Sequence, residues 1–535
     1  MVILKNKSLN LLVFLLLISG ILIRLFHFFY NRSLWMDEVY LSTSLVKMNY
    51  LELVTKPLYY QQKAPLGFLW IVKFFINLFG SKEMALRIVP LISGIASLFL
   101  FIPIAKYFLK ESGVVLAIGI FCLSPALTYH SVEIKQYATE LFCAILSFYL
   151  LIKYKDKNTV TAMLWWGLWG AVILWFSYSS IFILAGIGMG LSLQYIIQKR
   201  WRHFFISLMP FCLWLFSFVV NYLLFTHKHA ESAWIAYWFK AYDNFMPLPP
   251  RSVKDLMWFV MNIYRMLDYP LGLLWNFMAV TSHQGLNMLL KMPFIPLTFL
   301  AVGIYAFFRS GKSNLLLLVL PMCFMFLASG LELYPLTERF WVFISPAFII
   351  LIAKGFEFVA GKIRSGTVNI VLFLLLITGP LTQSIYFLMH PEFFYSHKKS
   401  FQREALLFIN KNYQPGDAVY VYWNNLPGYK LYKQIYNLNY TAIEGTDQRN
   451  KSANYANYYH NLSPEFKQFA NSKRVWLVYN NQFLTDLGDK IDEPKWYYKG
   501  QNPTKNLVNE LFKTYDPLEK FTAKDITVYL LEPKH

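Results

Sequence analysis

Two adjacent carboxylates, Asp37 and Glu38, follow Trp35-Met36 just after the first long apolar run of the chain. An ionisable group beside a bilayer is tolerated in a polar cavity or opposite another charge, so its retention there points first to chemistry. At the mouth of such a cavity a carboxylate can orient a hydroxyl or amine and accept its proton during nucleophilic attack. The plainer alternative is a helix cap, because Asp37 precedes an interfacial helix predicted over Val39 to Met48 and can stabilise its first turn.

Lys63 lies in the polar interruption Gln61-Gln62-Lys63, directly before a proline-started apolar segment. An ammonium at headgroup level suits a lipid phosphate and neutralises it as a leaving group, although any lysine at this depth can also snorkel. Glu133-Ile134-Lys135-Gln136-Tyr137 forms a tight turn between two apolar runs. Glu133 and Lys135 either pair across that turn or build a second polar wall of the cavity that holds Asp37. Arg339, in Tyr334-Pro335-Leu336-Thr337-Glu338-Arg339-Phe340, offers a planar donor fork for phosphate or a salt bridge to Glu338 or Glu332. Arg87 is a further candidate of the same kind. His227-Lys228-His229-Ala230-Glu231 has metal-ligand spacing, but with no clear third ligand it reads as surface histidine, and no cofactor is expected.

The elements that position these residues must cross a membrane. With 56% hydrophobic and 15% charged residues over 535 positions, and a mean hydropathy of +0.38, the chain is polytopic rather than a soluble enzyme. Windows of about 20 apolar residues place eleven spans near 9–29, 84–108, 112–131, 135–153, 160–178, 180–198, 203–226, 292–309, 314–332, 339–360 and 368–390. The run after Lys5 and Lys7 is long for a signal sequence and reads as an uncleaved first span. Pro65 to Gly80 is short and holds Lys73 and Asn77, so it reads as an interfacial helix.

Short loops rich in Lys and Arg, at 106–110, 153–157, 199–202, 309–312 and 362–364, fall on one side and are expected in the cytoplasm. The long loops 30–83 and 227–291 then share the outer side with the tail. Residues 391–535 carry 19 Lys and Arg against 15 Asp and Glu, so most of the net +20 sits on the apolar part. That is membrane loop bias and no sign of nucleic-acid binding. The tail reads as an α/β domain: a helix over Glu404 to Lys411, then strands over 418–422, 474–479 and 526–531. The four cysteines, Cys122, Cys143, Cys212 and Cys323, form no ligand pattern and read as small core residues.

On Asp37-Glu38, Lys63-Ala64-Pro65, Ala85-Leu86-Arg87-Ile88-Val89-Pro90, Glu133 to Tyr137 and Arg339 to Pro346, the chain resembles the GT-C membrane glycosyltransferases. The branch is that of protein O-mannosyltransferases and lipid A aminoarabinose transferases. The resemblance covers residues 9–390 and implies an all-α polytopic membrane bundle over 1–390 with an extracytoplasmic α/β domain over 391–535. It further implies that Asp37 is the catalytic aspartate and that Lys63 lies near the donor phosphate; beside them the residues themselves offer Glu38 as a second catalytic group and Gln62, Arg87, Glu133, Lys135, Tyr137 and Arg339 for the donor-phosphate site or cavity. The implied reaction is inverting transfer of a monosaccharide from a polyprenyl-phosphate donor to an extracytoplasmic lipid, glycan or protein, with no metal in the chemical step. The implied place is a bacterial inner membrane, with the active site and the C-terminal domain facing the periplasm or exterior. Gln62 and Tyr40 depart from the aminoarabinose transferases, which carry Glu and Arg at these places, so the donor sugar does not carry over. A transporter of lipid-linked glycans is the alternative, but it would need polar residues deep inside several spans.

Overall fold

The computed structural model describes residues 6–227, 233–363, 365–394, 400–491, 493–499 and 503–534. Lys5, Lys228, His229, Ala230 and Glu231, all named above, lie outside them, as does position 364 of the last basic loop. Helix α1 (Lys7–Tyr30) crosses first, and the loop behind it folds into α2 (Met36–Lys47), α3 (Tyr50–Thr55) and α4 (Leu66–Phe79). The chain re-enters through α5 (Glu83–Phe108) and α6 (Glu111–Leu123), the short α7 (Pro125–His130), and α8 (Tyr137–Tyr154). Helices over Val160–Phe176, Ser180–Ile197, Trp201–Asn221, Phe294–Ser310, Lys312–Gly330, Ser345–Lys362 and Gly366–Met389 complete the bundle.

Every one of the eleven predicted windows holds a helix, but among the described residues eight are long and apolar enough to cross a membrane. A ninth is reached if Gln284–Leu290 and Phe294–Ser310, bent by 58°, count as one span. Two windows fall short, at Glu111–Leu123 and Val160–Phe176. The first is cut because Ser124 caps a new helix, accepting from Leu127 N at 3.3 Å, with Pro125 at its first position. The break has a purpose for the site: it lifts His130 and Glu133 out of the helix run and starts α8 two residues later than the sequence implies.

Tight crossings rest on small residues. Gly303 and Gly355 face one another across Phe294–Ser310 and Ser345–Lys362, and a Cβ at either would collide with the opposite backbone. Of the cysteines expected in the core, Cys122 and Cys143 are buried, whereas Cys212 and Cys323 are exposed on helix surfaces. An apolar thiol is as much at home against lipid as in a core, so periodicity could not separate the two.

The tail forms a five-stranded sheet of order β2-β1-β3-β5-β4. Strands β1 (Ala418–Val421), β2 (Ile443–Glu444) and β3 (Val475–Asn480) run parallel, with β3 buried along its length. β4 (Tyr515–Thr522) and β5 (Ile526–Pro533) add an antiparallel edge. Helix Gln402–Asn412 and helix Leu426–Tyr436 cover one face. One apolar cluster joins that face to the first loop, with Leu34, Val39 and Leu41 packed together with Leu406, Val421 and Tyr432. Polar bonds fix the seam: Tyr432 OH accepts from Leu34 N at 2.9 Å, and Arg403 donates to Glu83 at 3.0 Å and to Asn31 O at 2.8 Å.

Lys155, Asp156, Arg200, Tyr107 and Asn314 meet at the end opposite the sheet, joining the basic loops that the sequence places together.

Candidate active site

Asp37 and Glu38 are neighbours with different surroundings. They occupy the second and third positions of α2, whose first turn favours negative charge. The capping role expected of Asp37 falls to Glu38, whose Oε2 accepts from Trp35 N at 3.2 Å. Glu38 is fully buried and also accepts from Arg32 at 2.8 Å, from Arg87 at 3.2 and 3.3 Å, and from Ile134 N at 2.9 Å. Two guanidinium groups and two backbone amides thus saturate a carboxylate that never meets solvent.

Asp37 faces the other way. Its Oδ2 accepts from Arg339 Nη1 at 2.6 Å, and its side chain is 25% exposed. Of the partners considered for Arg339 from sequence, Glu332 is taken by Lys240 at 2.7 Å. The Arg339 guanidinium lies over Tyr137 at 5.7 Å and Phe340 at 5.8 Å, so aromatic faces steady the cation without consuming its donors.

Glu133 and Lys135 reach to different parts of the site. Glu133 is buried and accepts from Trp35 Nε1 at 3.0 Å, while its second oxygen meets His130 Nδ1 at 2.6 Å. His130 Nε2 in turn bonds the Tyr269 hydroxyl, which ties the second long loop to the same wall. Trp35, immediately before the acidic pair, is therefore held by a chain of three side chains that sequence reading did not find. Lys135 donates to Gln62 Oε1 at 2.6 Å, joining the turn to the segment before Lys63.

That segment turns sharply, since Tyr60 and Gln61 take the left-handed backbone with φ of +55° and +50°. Such conformations are unfavourable for residues with a Cβ and persist where the surroundings enforce them. Lys63 follows, half buried, and desolvation holds its ammonium below the usual lysine range. Lys135 is lowered by the same cause, with Asp37 opposing the shift.

The structure therefore brings Asp37 to Arg339 and Tyr137, Glu133 to Trp35, and Gln62 to Lys135. Arg87 is turned onto Glu38 and the Arg32 carbonyl, at 2.7 Å, which makes it a support of the acidic pair rather than a cation facing the cavity. Arg32 and His130 were missed. Arg32 stands six residues before Glu38 in a loop and could have been suspected; His130 was hidden inside an apparent span. Among the described residues no three metal-ligating side chains converge.

The comparisons with known proteins agree with this architecture. Residues 63–229 match the family model for dolichyl-phosphate-mannose-protein mannosyltransferase. The structure is similar to ArnT from Cupriavidus metallidurans in the apo state, with a TM-score of 0.52 at 11% identity over 97% of both chains. ArnT bound to undecaprenyl phosphate gives 0.50 at 11% identity over 98% of both. The Archaeoglobus fulgidus oligosaccharyltransferase tethered to an acceptor peptide gives 0.51 at 12% identity, over 97% of this chain and 74% of the other. No curated protein sequence matches the chain.

Proposed function

For this chain of GT-C membrane glycosyltransferase fold, we propose inverting transfer of a monosaccharide from a polyprenyl-phosphate donor to an acceptor outside the cytoplasm. The observation that carries the reading is the contrast between Asp37 and its neighbours. Glu38 and Glu133 are fully buried among their partners, whereas Asp37 keeps a quarter of its side chain exposed (25%) and is oriented by a guanidinium at 2.6 Å. A base must reach its substrate, and Asp37 can.

In the proposed reaction the acceptor oxygen or nitrogen forms the bond to the anomeric carbon while that carbon's bond to the phosphate oxygen breaks. The electron pair leaves with the polyprenyl phosphate, and the acceptor proton passes to Asp37. Arg339 fixes the Asp37 carboxylate, and Lys63 with Lys135 supplies positive charge for the departing phosphate. Glu38 and Arg87 act by holding the turn. The ArnT structure with undecaprenyl phosphate supports a lipid-phosphate donor. The proposed setting is a bacterial inner membrane, and the basic loops at the other end of the bundle support an outward orientation for this end.

The test is mass analysis of membrane lipids and surface glycans from cells with the protein, without it, and with Asp37→Asn. Loss of the protein should build up one lipid-linked sugar and remove one sugar residue from a surface product, and Asp37→Asn should do the same. A variant that restores the product to parental level would overturn the role of Asp37. Identical glycans with and without the protein would overturn the transferase itself.

A further inference from the structure

The C-terminal domain meets the first loop at a second place, nearer the catalytic carboxylate than the apolar seam. Tyr40 lies three residues beyond Asp37 on α2 and so shares its face of the helix. Its ring stacks on Tyr60 at 4.5 Å and meets the edge of Phe483, from the loop after β3, at 6.4 Å. Tyr40 is 4% exposed, and its hydroxyl has no hydrogen-bond partner among the described residues. The carboxylates acting most strongly on that hydroxyl are Asp486, in the same loop as Phe483, and Asp37. A buried hydroxyl left without a partner is costly, so this one, set against the loop that carries Phe483 and Asp486, marks a position where a ligand belongs.

The loop over 481–491 is built to stay where it is. Asp489 Oδ2 accepts from Asp486 N at 2.6 Å and from Arg449 Nη1 at 2.8 Å, and Asn480 Oδ1 accepts from Phe483 N at 2.7 Å. Trp234 and Tyr237, from the second long loop, bond Asp489 O at 2.8 Å and Ile491 N at 3.3 Å. Arg449 directs its donors to Asp447, Asp489, the Leu484 carbonyl and Tyr498. Asp486, by contrast, is half buried and receives Leu487 N at 2.8 Å. Asp486 and Glu444 are also the charges that act most strongly on Tyr60. Glu444 is paired with Lys430 at 2.7 Å, so the side that the C-terminal domain turns toward Tyr40 carries the Asp486 carboxylate beside the Phe483 ring.

We propose that the loop 481–491 roofs an acceptor subsite in which Asp486 and the Tyr40 hydroxyl hold a glycan hydroxyl group, and that its negative charge excludes acceptors bearing phosphate or carboxylate. The inference rests on the transferase reading and names the acceptor class for it. A sugar offers hydroxyl donors to Asp486 and an apolar C–H face to the rings around Tyr40, whereas an anionic acceptor would meet like charge from Asp486. The donor phosphate comes instead to the cationic side, at Lys63 and Lys135.

The full-length protein in detergent is supplied with two fractions from cells lacking it. The lipid-linked donor fraction is held constant, and the glycan fraction is titrated as acceptor. Asp486→Asn should raise the half-saturating acceptor concentration at least about ten-fold, as loss of a charge-assisted hydrogen bond, and Tyr40→Phe about three- to ten-fold, as loss of a neutral one, with the plateau rate within two-fold in both. The sugar residue that receives the transfer should bear neither phosphate nor carboxylate. Unchanged half-saturation in both variants would overturn the subsite, as would a fall in plateau alone or an anionic or peptide acceptor. Parental transfer by Asp37→Asn would overturn the catalytic reading instead, whatever the Asp486 variants do. No transfer by the parental protein would remove both.

Discussion

Replacing Glu38 by Gln changes one oxygen to nitrogen and should destabilise the protein far more than it perturbs any reaction. The parental carboxylate accepts from two guanidinium groups and two backbone amides, with no solvent to take over. A glutamine keeps a single acceptor oxygen, and its new amide group would point donors at donors. Arg87, 1% exposed, and Arg32 would then hold buried charge without the anion that balances it. Removing one partner of a buried ion pair costs about 3–5 kcal/mol, a large share of the roughly 5–15 kcal/mol that keeps a domain folded. Heating detergent-solubilised protein and measuring the monodisperse fraction by size-exclusion chromatography reads this as a lower midpoint. The double variant Glu38→Gln with Arg87→Gln should recover part of the loss, because both charges leave together. A single variant with the parental midpoint would show that the Glu38 cluster does not hold the site together.

Asp37→Asn should behave in the opposite way. Its ion pair is partly exposed and contributes about 0–1 kcal/mol to stability, so the midpoint should hardly move while transfer falls about 10²- to 10⁴-fold. Donor use should also carry an alkaline limb set by Lys63. Burial lowers its proton affinity, so its positive charge is complete at low pH and is lost as pH rises through that depressed value. Lys63→Arg should flatten the limb, and an unchanged profile would assign it to another group. For topology, single cysteines at Ser282 and Asn471, both placed by the basic-loop rule outside, should react with a membrane-impermeant thiol reagent in cells whose outer face is accessible. Cysteine at Asn158 or Thr159 should not, in each case in a background lacking the four native cysteines. Labelling at both sets would break the shared compartment of the site.

Much of the bundle was legible because apolar length is a local property: each predicted window holds a helix. The break at Ser124-Pro125 was written in the chain, yet hydropathy averages across it, and His130 went unnoticed inside the apparent span. The pairings of the charges were less legible. Neighbours in sequence, Glu338 and Glu332, were the partners considered for Arg339, and the partner is Asp37, 302 residues away. The division of labour between Asp37 and Glu38 depends on which way each points from the first turn of α2, and on arginines from two other segments. For Asp486 there was no signal at all, since one aspartate in a polar tail loop resembles any other until the fold sets it against Tyr40.

These separations have a consequence for synthesis. The first-loop aspartate leaves the ribosome early, but its guanidinium partner arrives only after most of the spans. The clamp of Tyr432 on Ser33 and Leu34 spans 399 and 398 positions and waits for the tail. Until then Asp37 has no orienting charge and α2 lacks the surface that buries Leu34 and Val39. A chain that stops before the tail thus lacks part of the scaffold around Asp37, and the first loop reaches its final packing only when the last segment folds back onto it.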